Sequence, residues 1–119
     1  MSDTIFAKII SGEIPSEFIY EDEHCVAIND INPQAPVHVL VIPRKPITQL
    51  SAAQAEDQAL LGHLLLAANT VAKQLGVDEA YRLLINNGEG VGMTVYHLHL
   101  HILAGRTMAE AQLAQGLDA

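Results

Sequence analysis

The stretch Val95-Tyr96-His97-Leu98-His99-Leu100-His101-Ile102-Leu103-Ala104 alternates histidine with aliphatic residues, which predicts a β-strand over 95–104. Successive side chains of a strand point to opposite faces of a sheet. The alternation therefore places His97, His99 and His101 on one face and the aliphatic side chains on the other. Three buried imidazoles would each need a hydrogen-bond partner. Packing alone is thus a poor explanation, and the pattern indicates a functional site.

Metal coordination and phosphorus chemistry are the two functions that such a row of imidazoles suggests. Residues i and i+4 of a strand lie about 13 Å apart, so His97 and His101 cannot readily bind one ion, and no Asp or Glu adjoins them. A neutral imidazole is a competent nucleophile near pH 7, and a neighbouring imidazolium stabilises phosphoryl oxygens. The pattern favours phosphorus chemistry without a metal, and metal binding stays the second alternative.

The glycine-rich segment 86–94 lies directly before the predicted strand and strengthens this interpretation. Its alternating glycines, Gly88 to Gly92, allow tight turns whose backbone N–H groups can face an anion. Asn86 adds an amide and Thr94 adds a hydroxyl. Alone, such a loop would usually be a hairpin connection, so its weight comes from its position beside the histidines.

The remaining segments predict a mixed domain of strands and two helices. Apolar spacing and turn residues predict a helix over 4–10, a hairpin over 17–20 and 25–28, a strand over 37–42 buried on both faces, a long helix from Ser51 to Gly76, and a strand over 81–85. Asp3 is the predicted N-cap of the first helix, which Gly12 ends, and Ser51 with Gln54 forms a predicted capping box. The long helix has a wide apolar stripe, which favours burial against a second subunit as well as against the sheet.

Composition narrows the class of protein. The chain has 119 residues, half of them hydrophobic, which fits one folded domain over 1–119 with a partly mobile tail over 106–119. Its net charge of −8 argues against nucleic acid as a partner. A single cysteine permits no intramolecular disulfide, and no apolar run reaches the length of a membrane span. We therefore expect a cytoplasmic protein with no membrane partner.

The order of residues 95–103 resembles the signature of the histidine triad (HIT) family, His-φ-His-φ-His-φ-φ with φ hydrophobic. Further segments resemble the nucleoside phosphoramidase branch of that family: Asp3-Thr4-Ile5-Phe6-Ala7-Lys8-Ile9-Ile10, Glu13-Ile14-Pro15, Asp30-Ile31-Asn32-Pro33-Gln34-Ala35-Pro36 and His38-Val39-Leu40-Val41-Ile42-Pro43. The resemblance implies an α+β fold with a five-stranded antiparallel sheet, one long helix and one short helix. It also implies a homodimer in which two sheets join into ten strands.

The resemblance assigns a catalytic role to four histidines. His99 corresponds to the nucleophile that attacks the α-phosphorus and becomes nucleotidylated. His101 corresponds to the residue that contacts the phosphate and assists the leaving group, and His97 to the residue that orients the nucleophile. His38 corresponds to a fourth histidine near the leaving group, although alone it would be interpreted as a core histidine.

The resemblance also implies a purine nucleotide ligand, such as AMP or GMP, and no cofactor. Its contacts would come from a ribose-binding carboxylate, the apolar walls of a base pocket and a phosphate loop: Asp30; Ile9, Ile28 and Ile31; and Asn86, Gly92 and Thr94. Taken alone, Asp30 would be a turn residue and the isoleucines would be core. Met93 departs from the family, which often has Gln there.

The expected function is hydrolysis of purine nucleoside 5′-phosphoramidates through a nucleotidyl-His99 intermediate. Two alternatives stay open. One is a dinucleoside polyphosphate hydrolase, because the same triad serves that reaction and only the leaving group differs. The other is a metal-binding or protein-interaction module with little activity.

Overall fold

The computed structural model describes residues 3–110, and the strands within that range form one antiparallel sheet in the order β1-β2-β3-β5-β4. The elements are α1 (Ile5–Ser11), β1 (Tyr20–Glu21), β2 (Cys25–Asn29), β3 (Val37–Pro43), α2 (Gln58–Gln74), β4 (Tyr81–Leu84) and β5 (Leu100–Ala104). Short 3₁₀ turns occur at Leu50–Ala52, Ala55–Asp57 and Glu89–Val91. The predicted α+β fold, with a five-stranded antiparallel sheet, one short helix and one long helix, is confirmed.

The central strand β3 separates two apolar clusters, because its side chains alternate between the faces of the sheet. Val39 and Val41 pack on the face that α2 covers, in a cluster with Leu64, Ala68 and other buried residues of that side. Leu40 and Ile42 pack on the opposite face with residues of α1. The strand is buried from His38 to Pro43, which confirms the prediction for 37–42.

The first helix begins one residue later than predicted. Thr4, not Asp3, is the N-cap: its Oγ1 accepts a hydrogen bond from the Ala7 N–H at 3.1 Å. Both residue types suit this position, and the extended backbone of Thr4 (ψ 164°) decides between them. Gly12 ends the helix as predicted, with a left-handed φ of 87° that other residues adopt at a cost.

The second helix begins at Gln58, so the predicted start at Ser51 is wrong. Two 3₁₀ turns occupy the intervening segment, and the Ser51 N–H donates to Asn87 Oδ1 at 2.8 Å and not to a helical partner. The capping interaction lies one turn later, where the Gln54 N–H donates to the buried Asp57 carboxylate at 2.8 Å. Gly76 terminates the helix with a φ of 74°, in agreement with the prediction.

The strand bounds also differ from the predictions at their ends. The hairpin pairs Tyr20–Glu21 with the strand Cys25–Asn29, so most of the predicted strand over 17–20 is not paired as a strand. The strand predicted over 81–85 ends at Leu84. Of the predicted mobile tail, residues 111–119 lie outside the described residues. Neither helix within 3–110 has the length and apolar character that a membrane span requires.

Candidate active site

The histidine segment is only partly a strand. β5 begins at Leu100, so His97 and His99 precede it, and the predicted strand over 95–104 is wrong in its first half. The Leu98 N–H donates to the Ile47 carbonyl at 2.7 Å, and this bond takes the chain away from β3. The alternation of faces nevertheless persists, because Leu98 and Leu100 lie in the cluster on the α2 side.

The imidazoles lie on the opposite side of the sheet, against α1. The Phe6 ring of α1 contacts the His99 ring edge-on, with centroids 4.9 Å apart, and lies 6.4 Å from His97. On the sheet, Leu40 of β3 is paired with His101. The structure therefore places the three triad histidines on one face, as the alternation predicts.

The hydrogen bond of His99 defines its tautomer. Its Nδ1 lies 2.7 Å from the backbone carbonyl oxygen of His97. A carbonyl can only accept, so Nδ1 carries the proton, and in the neutral ring the lone pair is on Nε2. The ring of His97 is itself fixed by a bond of 2.8 Å from Nε2 to the Pro43 carbonyl. His97 thus orients His99 through its backbone, while its own ring anchors the segment to the end of β3.

A second hydrogen-bond chain defines the tautomers of His38 and His101. The Gln34 backbone N–H donates to His38 Nδ1 at 3.0 Å, so that nitrogen is unprotonated and His38 carries its proton on Nε2. His38 Nε2 lies 2.9 Å from His101 Nδ1, to which it donates. His101 therefore keeps its own proton on Nε2, a buried atom with no hydrogen-bond partner within residues 3–110. The chain presents an N–H donor at His101, complementary to the lone pair at His99.

Burial keeps these rings neutral. Burial lowers the pKa of His38, and the Asp30 carboxylate, 3.4 Å from His38 Nε2, partly offsets this by raising the pKa. Burial also lowers the pKa of His97, against the effect of the Pro43 carbonyl. For His101, burial and the neighbouring His99 and His38 lower the pKa to about 3. At pH 7 these three imidazoles are therefore neutral.

The predicted nucleotide contacts fall into two groups. Ile9 and Ile28 are buried in the apolar cluster on the α1 side, beside the histidines. Asp30 is close to them too, since its carboxylate accepts from the Asn32 N–H at 2.8 Å and approaches His38. Ile31, by contrast, is 97% exposed and does not belong to that cluster.

The glycine-rich loop precedes the triad and contains the remaining predicted contacts, Asn86, Gly92 and Thr94. Gly92 has a φ of 96°, and its N–H donates to the Glu89 carbonyl at 3.0 Å to close the short 3₁₀ turn. Met93 is buried, and its sulfur accepts from the Gly88 N–H at 3.4 Å. Met93, which departs from the family pattern, therefore packs inside the loop.

Three groups that contribute to the site were not among the predicted site residues. Phe6 packs against His99, the Gln34 N–H sets the tautomer of His38, and the Pro43 carbonyl holds His97. Two of them act through the backbone, where side-chain identity gives no signal. Phe6 could have been suspected from its place on the apolar side of the first helix.

The four histidines are enclosed, each at most 3% exposed. A cavity of about 750 Å³ lies elsewhere, lined by the connection from α2 to β4, by β4 and by the chain around the end of β5, and none of the four histidines lines it. The rings thus face the packed interior beneath α1, and entry of a ligand at His99 requires side chains such as Phe6 to move.

One group of possible metal ligands coincides with this site: Asp30, His38 and His101 place one ligand atom each within 4.8 Å of the others. These atoms already form the hydrogen-bond chain described above. Binding an ion there would require His38 to give up the Nε2 proton that it donates to His101. The arrangement fits proton positioning better than coordination.

Comparison with known proteins places this geometry in a family. The sequence profile of the HIT domain matches residues 11–108. An uncharacterised HIT-like protein of Synechocystis sp. is 65% identical over 104 residues, which cover 87% of this chain and 91% of that protein. Solved structures of HIT family hydrolases are similar as well. The one from Clostridium thermocellum has 44% identity and a TM-score of 0.87, covering 92% of this chain and 96% of that one. The one from Legionella pneumophila Philadelphia 1 has 43% identity and a TM-score of 0.86, covering 89% and 96%. The chain belongs to the HIT domain family.

Proposed function

We propose that this chain hydrolyses purine nucleoside 5′-phosphoramidates through a covalent nucleotide on His99. The observation that carries the proposal is the pair of complementary tautomers, a lone pair on His99 Nε2 and a proton on His101 Nε2. Their ring centroids are 5.1 Å apart, so one phosphoryl group could contact both. The similarity to HIT family hydrolases supports hydrolysis as the class of reaction.

In the first step, the His99 Nε2 lone pair forms a bond to the α-phosphorus. The P–N bond of the substrate breaks, its electron pair stays on nitrogen, and the amine leaves with one added proton taken from solvent. Positive charge develops on the His99 ring and is stabilised by the His97 carbonyl, 2.7 Å from Nδ1. The bond that sets the tautomer therefore also stabilises the transition state.

In the second step, water attacks the phosphorus and the His99–phosphorus bond breaks, with its electrons returning to Nε2. The nucleoside monophosphate leaves and the proton taken up in the first step is released. This proton returns to solvent, and the Nε2–H of His101, which the Gln34–His38–His101 chain holds toward the site, donates a hydrogen bond to a phosphoryl oxygen in both steps. No metal or cofactor is needed for either step to balance.

The substrate contacts belong to the same proposal. Asp30 would bind the ribose, which fits its position next to His38. Ile9 and Ile28 would line the base pocket from the apolar cluster of the α1 side, and Ile31 would close over the base from its exposed position. Phosphate oxygens would be bound by the loop that contains Asn86, Gly92 and Thr94, whose turns are built on positive φ at glycine.

The test is to trap the intermediate and locate it. We expect mass spectrometry of a rapidly quenched reaction with adenosine phosphoramidate to find one nucleotide on His99. His99→Ala should lose both the adduct and turnover, whereas His24→Gln, which removes an exposed histidine in contact with His63 of α2, should keep both. An adduct on another residue, or full turnover by His99→Ala, would overturn the assignment.

A substrate panel separates the two hydrolase reactions. Faster turnover of adenosine phosphoramidate than of diadenosine polyphosphate supports the proposal, and the opposite order favours the polyphosphate hydrolase. Because Phe6 packs on His99, Phe6→Leu should change KM more than kcat if this ring controls entry. Chelator-treated protein should retain its turnover, since neither step uses a metal.

We also propose that the active form is a cytoplasmic homodimer that uses the outer side of α2. Leu65 and Leu66 are 53% and 69% exposed there, next to buried positions of the same helix. Exposed leucines in adjacent positions favour a subunit contact. Analytical ultracentrifugation should find a dimer, and Leu66→Asp should shift it toward monomer, whereas Glu17→Gln, an exposed polar change outside α2, should not. A wild-type monomer at micromolar concentration would contradict the proposal.

A further inference from the structure

A second cluster of chemically reactive side chains lies on the other face of the sheet. Asp22 in the β1–β2 turn, Cys25 at the start of β2 and His63 of α2 each place one ligand atom within 4.8 Å of the others. His63 Nε2 lies 2.7 Å from Asp22 Oδ2. Cys25 is fully buried, while Asp22 and His63 are partly exposed at the edge of the cluster. A thiol, an imidazole and a carboxylate thus meet at one point that solvent can reach from one side.

This cluster is separate from the active site. Cys25 belongs to the apolar cluster of the α2 side, together with Ala27 and Val39. The triad lies across the sheet, under Phe6 of α1. The proposed hydrolysis uses none of the three residues, so their arrangement calls for a different explanation.

The turn holds the carboxylate in a fixed orientation. Asp22 Oδ1 accepts from the backbone N–H groups of His24 and Cys25, at 2.8 and 2.9 Å. The Tyr20 hydroxyl donates to Oδ2 at 2.8 Å, and Arg44 Nε donates to the Asp22 carbonyl at 2.9 Å. The Arg44 guanidinium, which is partly exposed, also pairs with the Glu21 carboxylate at 2.9 Å, and this pair offsets its positive charge. Secondary contacts of this kind orient ligands in protein metal sites.

We propose that Asp22, Cys25 and His63 form a binding site for one Zn²⁺ ion that joins the β1–β2 turn to α2. Sulfur, nitrogen and oxygen donors are the set that zinc accepts, and the mixture is too soft for Mg²⁺ or Ca²⁺. Tetrahedral zinc separates its ligand atoms by roughly 3.3–3.7 Å. The present separations run from 2.7 Å to at most 4.8 Å, so shifts of about 1 Å complete the geometry.

Binding changes the protonation of two ligands. The Cys25 thiol loses its proton to solvent as the Zn–S bond forms, and the imidazole of His63 binds through Nε2 with its proton on Nδ1. Asp22 contributes a carboxylate oxygen. The fourth position is open on the solvent side for a water molecule or for His24, whose ring centroid is 4.8 Å from that of His63.

Cobalt provides a probe that reports this site alone. Co²⁺ takes the same ligands as zinc, and its bond to a thiolate gives a charge-transfer absorption band that imidazole and carboxylate ligands do not give. Cys25 is the one cysteine of the 119-residue chain, so the band cannot arise at the histidine triad. We expect titration of the chelator-treated full chain to saturate at one equivalent of Co²⁺, and equimolar Zn²⁺ to abolish the band.

Variants assign the ligands. Cys25→Ser should lose the band, and His63→Gln, at a partly exposed position, should weaken Co²⁺ binding at least tenfold. His101→Gln, which removes a ligand atom of the other cluster, should leave the band unchanged. The proposal would be overturned if the wild type showed no band, or if His63→Gln did not change the affinity. The cluster would then be a hydrogen-bonded contact that joins the β1–β2 turn to α2. Neither result bears on the nucleotide adduct at His99.

Discussion

Acid should destabilise this protein through the burial of neutral His101. The pKa of His101 falls from the ordinary value of 6.5 to about 3 in the folded chain, because the ring is buried and lies beside His99 and His38. As pH falls below 6.5, the unfolded chain takes up a proton on this residue and the folded chain does not. The stabilisation from a lowered pKa is therefore complete above pH 6.5 and is lost progressively toward pH 3.

The magnitude follows from proton linkage. Each pH unit between the two pKa values changes the free energy of unfolding by about 1.4 kcal/mol per group. At pH 5 the folded state should thus have lost about 2 kcal/mol relative to pH 7 through His101 alone. His38 and His97 add to the total in the same direction, because burial lowers their pKa values as well.

Urea denaturation of wild type and His101→Gln at pH 7 and pH 5 isolates the contribution of His101. Gln offers a neutral acceptor for the His38 Nε2–H, and His38 and His97 titrate in both proteins. We expect the variant to lose about 2 kcal/mol less than wild type between the two pH values. His24→Gln controls for the removal of an exposed histidine, and all proteins are compared at one concentration so that any self-association contributes equally. Equal losses in wild type and His101→Gln would refute the reasoning.

Three further substitutions, the first with Gly90→Ala as its control, test the fold by their effect on the free energy of unfolding. Gly105→Ala puts a Cβ 2.9 Å from Pro36 Cβ at a backbone φ of +94°, and it should destabilise the fold by about 1–3 kcal/mol. In Gly90→Ala the new Cβ meets nothing within 4 Å, so the free energy of unfolding should stay within about 0.5 kcal/mol of wild type. Equal effects of the two substitutions would refute the steric argument. Leu64→Ala empties a fully buried position under α2 and should cost about 2–5 kcal/mol by thermal or urea denaturation; a cost below 1 kcal/mol would show that the core collapses around it. Thr4→Ala removes the N-cap of α1 and should cost about 1 kcal/mol, and no change in hydrogen exchange of the Ala7 amide would contradict the capping bond.

Local patterns predicted the elements well where packing is periodic. The apolar segment 37–42 predicted a doubly buried strand because alternate residues there face two different clusters. The histidine alternation predicted the faces but not the extent of the last strand. Leu98 bonds to Ile47 and not to β3, and a choice between two backbone acceptors leaves no trace in side-chain type. The late start of α2 has a related cause, since the Ser51 and Gln54 N–H groups donate to the side chains of Asn87 and Asp57, and Asn87 lies 36 positions away from Ser51.

The site was predictable as a set of residues and not as a network. His38 and His101 are 63 positions apart, and His97 bonds to a carbonyl 54 positions away. Such pairs form only when the sheet brings β3 beside β5, so no local pattern specifies them. The same limit hid the cluster on the α2 face, where Asp22 and His63 are 41 positions apart.

The burial that encloses the four histidines also bears on the protonation that the proposed reaction needs. An exposed imidazole would be largely protonated at mildly acid pH and would then have no lone pair for phosphorus. Burial disfavours the charged form of His38, His97 and His101, and the carbonyl of His97 keeps the proton of the neutral His99 ring on Nδ1, away from Nε2. The same packing buries His99 Nε2, so the proposed reaction depends on movement of Phe6 and α1 away from this atom. Because α1 is only seven residues long and has two buried side chains, Phe6 and Ile9, we expect local opening of this helix to cost less free energy than opening of the sheet.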